Sequence, residues 1–193
     1  MKRLAFVKLL IITSMASSQV NPPDGPIDVP WTVSFGVNIV DNDGFRFENA
    51  FNTDNWNFKN PLSFSVQRKW KDHFSAGLAL TVNTLEEANL HNNGRLSEDE
   101  TLFAIDANAK YIYDYLFTNT PRIDPFEAYV LSGFGFTSVS EHDTATFNIG
   151  LGFNIWVYRD IGIRLQTMGK FGFSEWVYLK NYIQHSAELI FRF

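Results

Sequence analysis

From Trp31 onward, apolar and polar residues alternate with a period of two, the spacing that sends successive side chains to opposite faces of a β-strand. The stretch "WTVSFGVNIV" sets Trp31, Val33, Phe35, Val37 and Ile39 against Ser34, Gly36 and Asn38. The same alternation follows in "LSFSVQ" (62–67), "FSAGLALTV" (74–82) and "FAIDANAKYIY" (103–113). It returns in 126–136, in "ATFNIGLGFNIWV" (145–157), in 161–166 and in the last segment, 182–193. Eight strands of about 8–13 residues are predicted, and a tilted strand needs roughly 9–11 residues to cross a bilayer.

The connections alternate too. Long polar links are expected at 41–60, 84–100 and 170–181, with a shorter one near 138–143. Between them lie the tight turns "WKDH" and "YRD" and the longer "TNTPRID". Long links on one rim and short ones on the other are the pattern of an outer-membrane barrel, and an even strand count returns both termini to the periplasmic rim. A soluble sandwich or a lipocalin-like barrel is the competing fold. Its water-facing side would carry many Lys and Glu, whereas the polar faces here are mostly Gly, Ser, Asn and Thr. Small side chains suit the narrow interior of an eight-stranded barrel, and lipid accounts for the 19 Phe among 193 residues. The expected fold is therefore all-β: a closed, eight-stranded, antiparallel, up-and-down transmembrane barrel. An open edge would leave unpaired backbone groups in hydrocarbon, so the first and last strands must pair.

Ahead of the strands, Lys2 and Arg3 precede an apolar run from Leu4 to Ile12, interrupted by Lys8, with Ala16 and Ser18 before Gln19. That is the form of a cleaved secretory signal over 1–18, followed by a Pro-rich lead-in at 19–30 and a barrel at 31–193. Losing Lys2, Arg3 and Lys8 would leave 13 basic against 21 acidic residues, a net charge of −8. Such a surface does not attract nucleic acid. Cysteine is absent, so neither a disulfide framework nor a thiolate metal site can form.

The terminal "ELIFRF" places Leu189, Phe191 and Phe193 on one face and Arg192 on the other, with Tyr182 assigned to the far rim of the outward set. A final strand of this kind, ending in Phe, resembles the assembly signal of outer-membrane barrels. The resemblance implies that barrel-assembly machinery reads Leu189, Phe191 and Phe193. The chain as a whole resembles the N-terminal barrel of the OmpA-like proteins of Bacteroidetes in 30–44, 104–111, 148–157, 163–167 and 184–193. Longer members of that family continue into a periplasmic peptidoglycan-binding domain. No such domain is expected within the barrel span 31–193, so cell-wall anchoring is not carried over.

Six charges fall on the inward faces: Asp106, Lys110, Glu127, Arg164, Glu188 and Arg192. Single charges inside a narrow barrel are costly unless paired or hydrated, which predicts an internal ion-pair network. Arg164 and Glu188, on adjacent strands, are the expected contact, with Lys110 at similar depth. The inward glycines leave space for small water pockets, and eight strands leave no open channel. Catalysis has little support. His73, His91 and His142 are expected in exposed turns or links and His185 on the outer face, and "SEHD" around His142 reads as a solvated loop.

No enzyme activity, cofactor or metal is expected. The favoured reading is a small structural barrel that contributes to envelope integrity without a substantial pore. An alternative is recognition of a protein, glycan or cation through the outer links, where Phe45, Phe47, Phe51, Trp56 and Phe58 stand among Asp and Asn. A narrow gated channel ranks below both. The expected partners are outer-membrane lipid and lipopolysaccharide, the barrel-assembly machinery during insertion, and an unidentified envelope protein.

Overall fold

The computed structural model describes residues 30–42, 53–71, 73–92, 94–113, 126–140, 142–174 and 180–193. The predicted signal (1–18), nearly all of the lead-in, and Phe45, Phe47 and Phe51 lie outside the described residues. The strands are β1 (Trp31–Asp41), β2 (Trp56–Asn57), β3 (Lys59–Lys71), β4 (Phe74–Leu85), β5 (Glu100–Ile112), β6 (Phe126–Val139), β7 (His142–Trp156), β8 (Ile161–Gly172) and β9 (Asn181–Arg192). Each long strand pairs antiparallel with its neighbour in sequence, and β1 pairs with β9 from Thr32↔Arg192 to Asp41↔Ile183. The sheet has no free edge. The protein is a closed eight-stranded antiparallel transmembrane β-barrel with up-and-down strand order.

The two-residue β2 does not add a ninth wall. β1 pairs with β3 from Trp31↔Arg68 to Gly36↔Ser63, and its far end pairs with β2 at Val40↔Asn57 and Asp41↔Trp56. β2 and β3 are therefore one wall strand, broken at Phe58. Next to the break, the β3–β4 register shifts between Lys59 and Leu62, and Asn60 has φ 55°. Pro61 sits inside that shift. Proline cannot donate a ladder hydrogen bond, and in a sheet without edges a bulge is the site that tolerates it.

The outer wall is apolar. Phe35, Leu62, Leu78, Phe134, Ile149 and Leu151 are among its exposed side chains. Aromatic residues mark its two rims: Trp31, Trp70, Phe74, Tyr158 and Phe193 at the end that carries the termini, and Phe58 and Phe173 at the end that carries the longer links. Such girdles sit at the two interfaces of a bilayer. No helix among the described residues is long and apolar enough to cross a membrane.

Several expectations need correction. Strand pairing extends farther than the alternation suggested. Near 138–143, β6 runs to Val139 and β7 starts at His142, with Ser140 at φ 53° after β6, and β8 continues to Gly172, bringing Lys170 into the wall. Tyr182 does not belong to an outward rim: it shares parity with Gln184 and Glu188, faces the lumen and is 1% exposed. His91 is fully buried in its link, with Nε2 2.8 Å from the Glu86 carbonyl. The interior is also less uniformly polar than expected. Val40, Leu85, Leu102, Ala104, Val139 and Tyr182 form an apolar plug at the link end, with Leu96 packed on it. Ile112, Tyr129, Leu131 and Met168 form a second cluster towards the terminal end.

Candidate functional site

The lumen holds two layers of charge. The layer nearer the link end is built on β5 and β8, which face each other across the barrel. Lys170 Nζ donates to Asp106 Oδ2 at 2.7 Å, and both side chains are fully buried. Asn148 Nδ2 donates to the other carboxylate oxygen at 2.9 Å, and Thr146 Oγ1 donates to Asn148 Oδ1 at 3.0 Å. The ammonium also lies 5.5 Å from the Tyr182 ring centroid, and the Tyr182 hydroxyl is 2.8 Å from Thr137 Oγ1. Gly135 makes room for this arrangement: a Cβ there would stand 2.1 Å from Asp106 Oδ1 and 2.7 Å from Thr146 Oγ1.

The layer nearer the terminal end centres on Arg164. Its Nη1 lies 3.1 Å from Glu188 Oε2, a contact between register partners of β8 and β9. The same guanidinium donates to Ser65, Gln67 and Asn154, at 3.1–3.3 Å. Ser34 Oγ donates to Glu188 Oε2 at 2.7 Å. Asn154 Nδ2 continues the chain of bonds to Glu127 Oε2, and Glu127 Oε1 is 3.9 Å from Lys69 Nζ. At the rim, Arg192 stacks 4.1 Å from the Trp156 ring, donates to the Arg159 carbonyl and stands 4.0 Å from Asp160.

Of the six charges singled out in the sequence, the structure thus brings Arg164, Glu188 and Glu127 into one connected group. Asp106 belongs to the other layer and pairs with Lys170, a residue the sequence reading left in a link. Arg192 stays at the rim. Lys110 has no ion pair among the described residues: its Nζ meets the Tyr129 hydroxyl at 3.5 Å and lies 4.5 Å from that ring. The signal that would have found Lys170 was available. Met168 and Lys170 alternate with Gly169 and Phe171 in continuation of the β8 pattern.

The mouth at the link end is capped. The β4–β5 link is fastened to the barrel by asparagines: Glu86 N and Asn89 Nδ2 both donate to Asn57 Oδ1, at 2.8 and 3.0 Å. Asn92 bridges the ends of two strands, with its backbone N donating to the Asn42 carbonyl and its amide to Asn42 Oδ1 and the Asn181 carbonyl. His91 and Gly94 exchange backbone hydrogen bonds within the link. Lys59 and Asp99 form an exposed ion pair beside it. Of the predicted recognition aromatics that are described, Phe58 is exposed, whereas Trp56 packs on His185 with ring centroids 5.2 Å apart. His185 faces outward and its Nδ1 is 3.0 Å from Thr167 Oγ1. Leu189, Phe191 and Phe193 lie on the outer face of β9, where Phe191 stacks on Phe35 at 5.8 Å, and Phe193 exchanges backbone hydrogen bonds with Trp31.

A cavity of about 20 Å³ remains in the terminal layer, lined by Ser65, Gln67, Asn108, Lys110, Arg164, Gln166 and Glu188 among others. It would hold one or two waters and is no conduit. Among the described residues, no group of three or more His, Cys, Asp or Glu side chains could hold a metal ion.

No family model matches the chain, and no curated protein is similar to it in sequence. Solved structures are similar in fold. Neisserial surface protein A (NspA) superposes with a TM-score of 0.57 at 12% identity, over 84% of this chain and 96% of that one. The N-terminal β-barrel domain of Pseudomonas aeruginosa OprF gives 0.46 at 13% identity, over 84% and 97%. Ail, the attachment invasion locus protein of Yersinia pestis, gives 0.49 at 10% identity, over 85% and 97%. At such identities the likeness concerns architecture, and the architecture this chain shares with NspA is the closed eight-stranded transmembrane barrel.

Proposed function

We propose that this protein is a non-conducting, non-catalytic barrel of the outer membrane whose working surface is its link end, where it recognises an envelope or surface partner. One observation carries this reading: the lumen is filled while the mouth is built. Charged and apolar side chains occupy the interior in layers, around a cavity of about 20 Å³ in the terminal layer. Above them a hydrogen-bonded link presents Glu87, Arg95, Glu98 and Asp99 to solvent. Loops fixed on a rigid scaffold are favoured places for recognition. The name of NspA describes that barrel as a surface protein, which fits the same reading. A purely mechanical role in the envelope is the second reading, favoured by the Arg164 cluster, whose hydrogen bonds span β1, β3, β7, β8 and β9. The charges Asp106, Lys110, Glu127, Arg164, Glu188 and Arg192 are assigned to filling the barrel, not to gating it.

Two measurements test the assignment. Planar-bilayer recordings of the pure folded protein should show no reproducible ion-selective channel, and finding one would move the function to transport. Capture from intact outer membranes should recover a partner with the native chain and lose it when Glu87, Arg95, Glu98 and Asp99 of the β4–β5 link are replaced together by Ser. Equal recovery would remove the recognition role of that link.

The resemblance of the quoted stretches to OmpA-like barrels supports export by a cleaved signal and insertion by assembly machinery that reads Leu189, Phe191 and Phe193. Phe193→Ala keeps both backbone bonds to Trp31, so it should refold in detergent while accumulating less in the outer membrane of cells. Normal cellular assembly of that variant would refute the signal.

A further inference from the structure

We infer that the cavity in the terminal layer is a binding site for one small monatomic anion, a halide, held by Lys110. This goes beyond the surface reading and does not depend on it. Arg164 and Lys110 both line the cavity, and Glu188 is the one carboxylate that does. Arg164 takes Glu188, whose Oε2 also accepts from Ser34. Among the described residues Lys110 is left with Tyr129, 3.5 Å from its hydroxyl and 4.5 Å from its ring centroid, although it is only 8% exposed. A buried ammonium has three donors and a full charge to satisfy, and burial without a counter-charge is costly.

The neighbouring groups point the same way. The Tyr129 hydroxyl donates to Gln166 Oε1, so it offers Lys110 only a lone pair. That bond also fixes the Gln166 amide with its nitrogen as the remaining polar atom, a donor. Asn108 brings another amide to the wall of the same cavity. Lys110, Arg164, Gln166 and Asn108 thus bring N–H donors to the wall of the space, and the Glu188 carboxylate that also lines it is already engaged by Arg164 and Ser34. The layer nearer the link end serves as an internal reference: there Lys170 has Asp106 at 2.7 Å and needs no added ion. Size selects the ligand class. About 20 Å³ matches a water-sized occupant or a halide better than the larger sulfate or phosphate.

The site can be read directly by anomalous scattering from crystals of the refolded barrel grown with sodium bromide. A bromide peak touching Lys110 Nζ is expected, absent from Lys110→Met. In parallel, replacing chloride by gluconate at constant ionic strength should lower the thermal unfolding midpoint of the wild-type barrel and leave that of Lys110→Met unmoved. An ion that binds only the folded state stabilises it by mass action, so the shift should grow with chloride and saturate. Water in the cavity despite bromide overturns the proposal, as does an equal response to chloride in both proteins. Should Lys110→Met fail to refold, Lys110→Gln supplies the uncharged comparison, and the wild-type bromide map decides alone.

Discussion

The two charged layers of the lumen answer one problem differently. In the layer near the link end a cation and a carboxylate meet across the barrel, fully buried, and Lys170 and Asn148 both donate to Asp106. In the terminal layer Arg164 and Lys110 line a cavity with one carboxylate, Glu188, which Arg164 takes, and the hydrogen bonds fan out to hydroxyls and amides on β1, β3 and β7. The first layer is a closed pair that tolerates no loss. The second is a distributed network in which each member has substitutes. Removing one partner from a buried pair strands the other charge, whereas removing both together can be nearly neutral.

That contrast makes graded predictions. The largest effect belongs to Lys170→Met, which leaves the Asp106 carboxylate without its cation; a loss of about 3–5 kcal/mol is expected in denaturant unfolding from lipid vesicles. The double change Lys170→Met with Asp106→Leu should recover most of that loss. Failure to recover would mean that the pair is not the unit described here. Arg164→Met should cost less, about 3 kcal/mol at most, because Ser34 still donates to Glu188 and Lys110 lines the same cavity. Equal losses for Arg164 and Lys170 would erase the distinction between the layers.

Gly135→Ala sharpens the comparison without changing charge. The added methyl meets Asp106 Oδ1 and Thr146 Oγ1, so it should cost about 1–3 kcal/mol by overpacking. The smallest change is expected from Lys110→Met, about 1 kcal/mol or less in either direction, since an uncharged side chain of similar length replaces a cation that has no ion pair among the described residues. A loss as large as that of Lys170→Met would show that Lys110 is paired more strongly than its contacts indicate.

Much of this was legible from period-two alternation alone. Parity assigns Phe35, Leu151 and Phe134 to the outer wall and Asp106, Arg164 and Glu188 to the lumen, because a strand offers only two faces. Where the alternation was given up too early, the reading failed: ending β8 before Lys170 removed the cation that Asp106 requires. Assigning Tyr182 to the rim ignored its even parity with Gln184 and Glu188. The apolar plug at the link end is harder to read in the sequence because Val40 and Leu102 fall next to the outward apolar residues Ile39 and Phe103, where alternation gives no contrast.

By itself, the sequence determined strand number, closure, the inward or outward side of residues in the clearly alternating stretches, and the contact of Arg164 with Glu188. All of these follow from pleat geometry, from the need to satisfy backbone groups in a bilayer, and from neighbouring strands. Only the tertiary structure decided which charges meet across the lumen. Asp106 reaches β8, and Arg164 reaches Ser65 on β3, because strand tilt and stagger bring distant positions to one depth. The same stagger separates Lys110 from any carboxylate partner among the described residues and leaves its ammonium beside the cavity, an outcome that no spacing along one strand encodes.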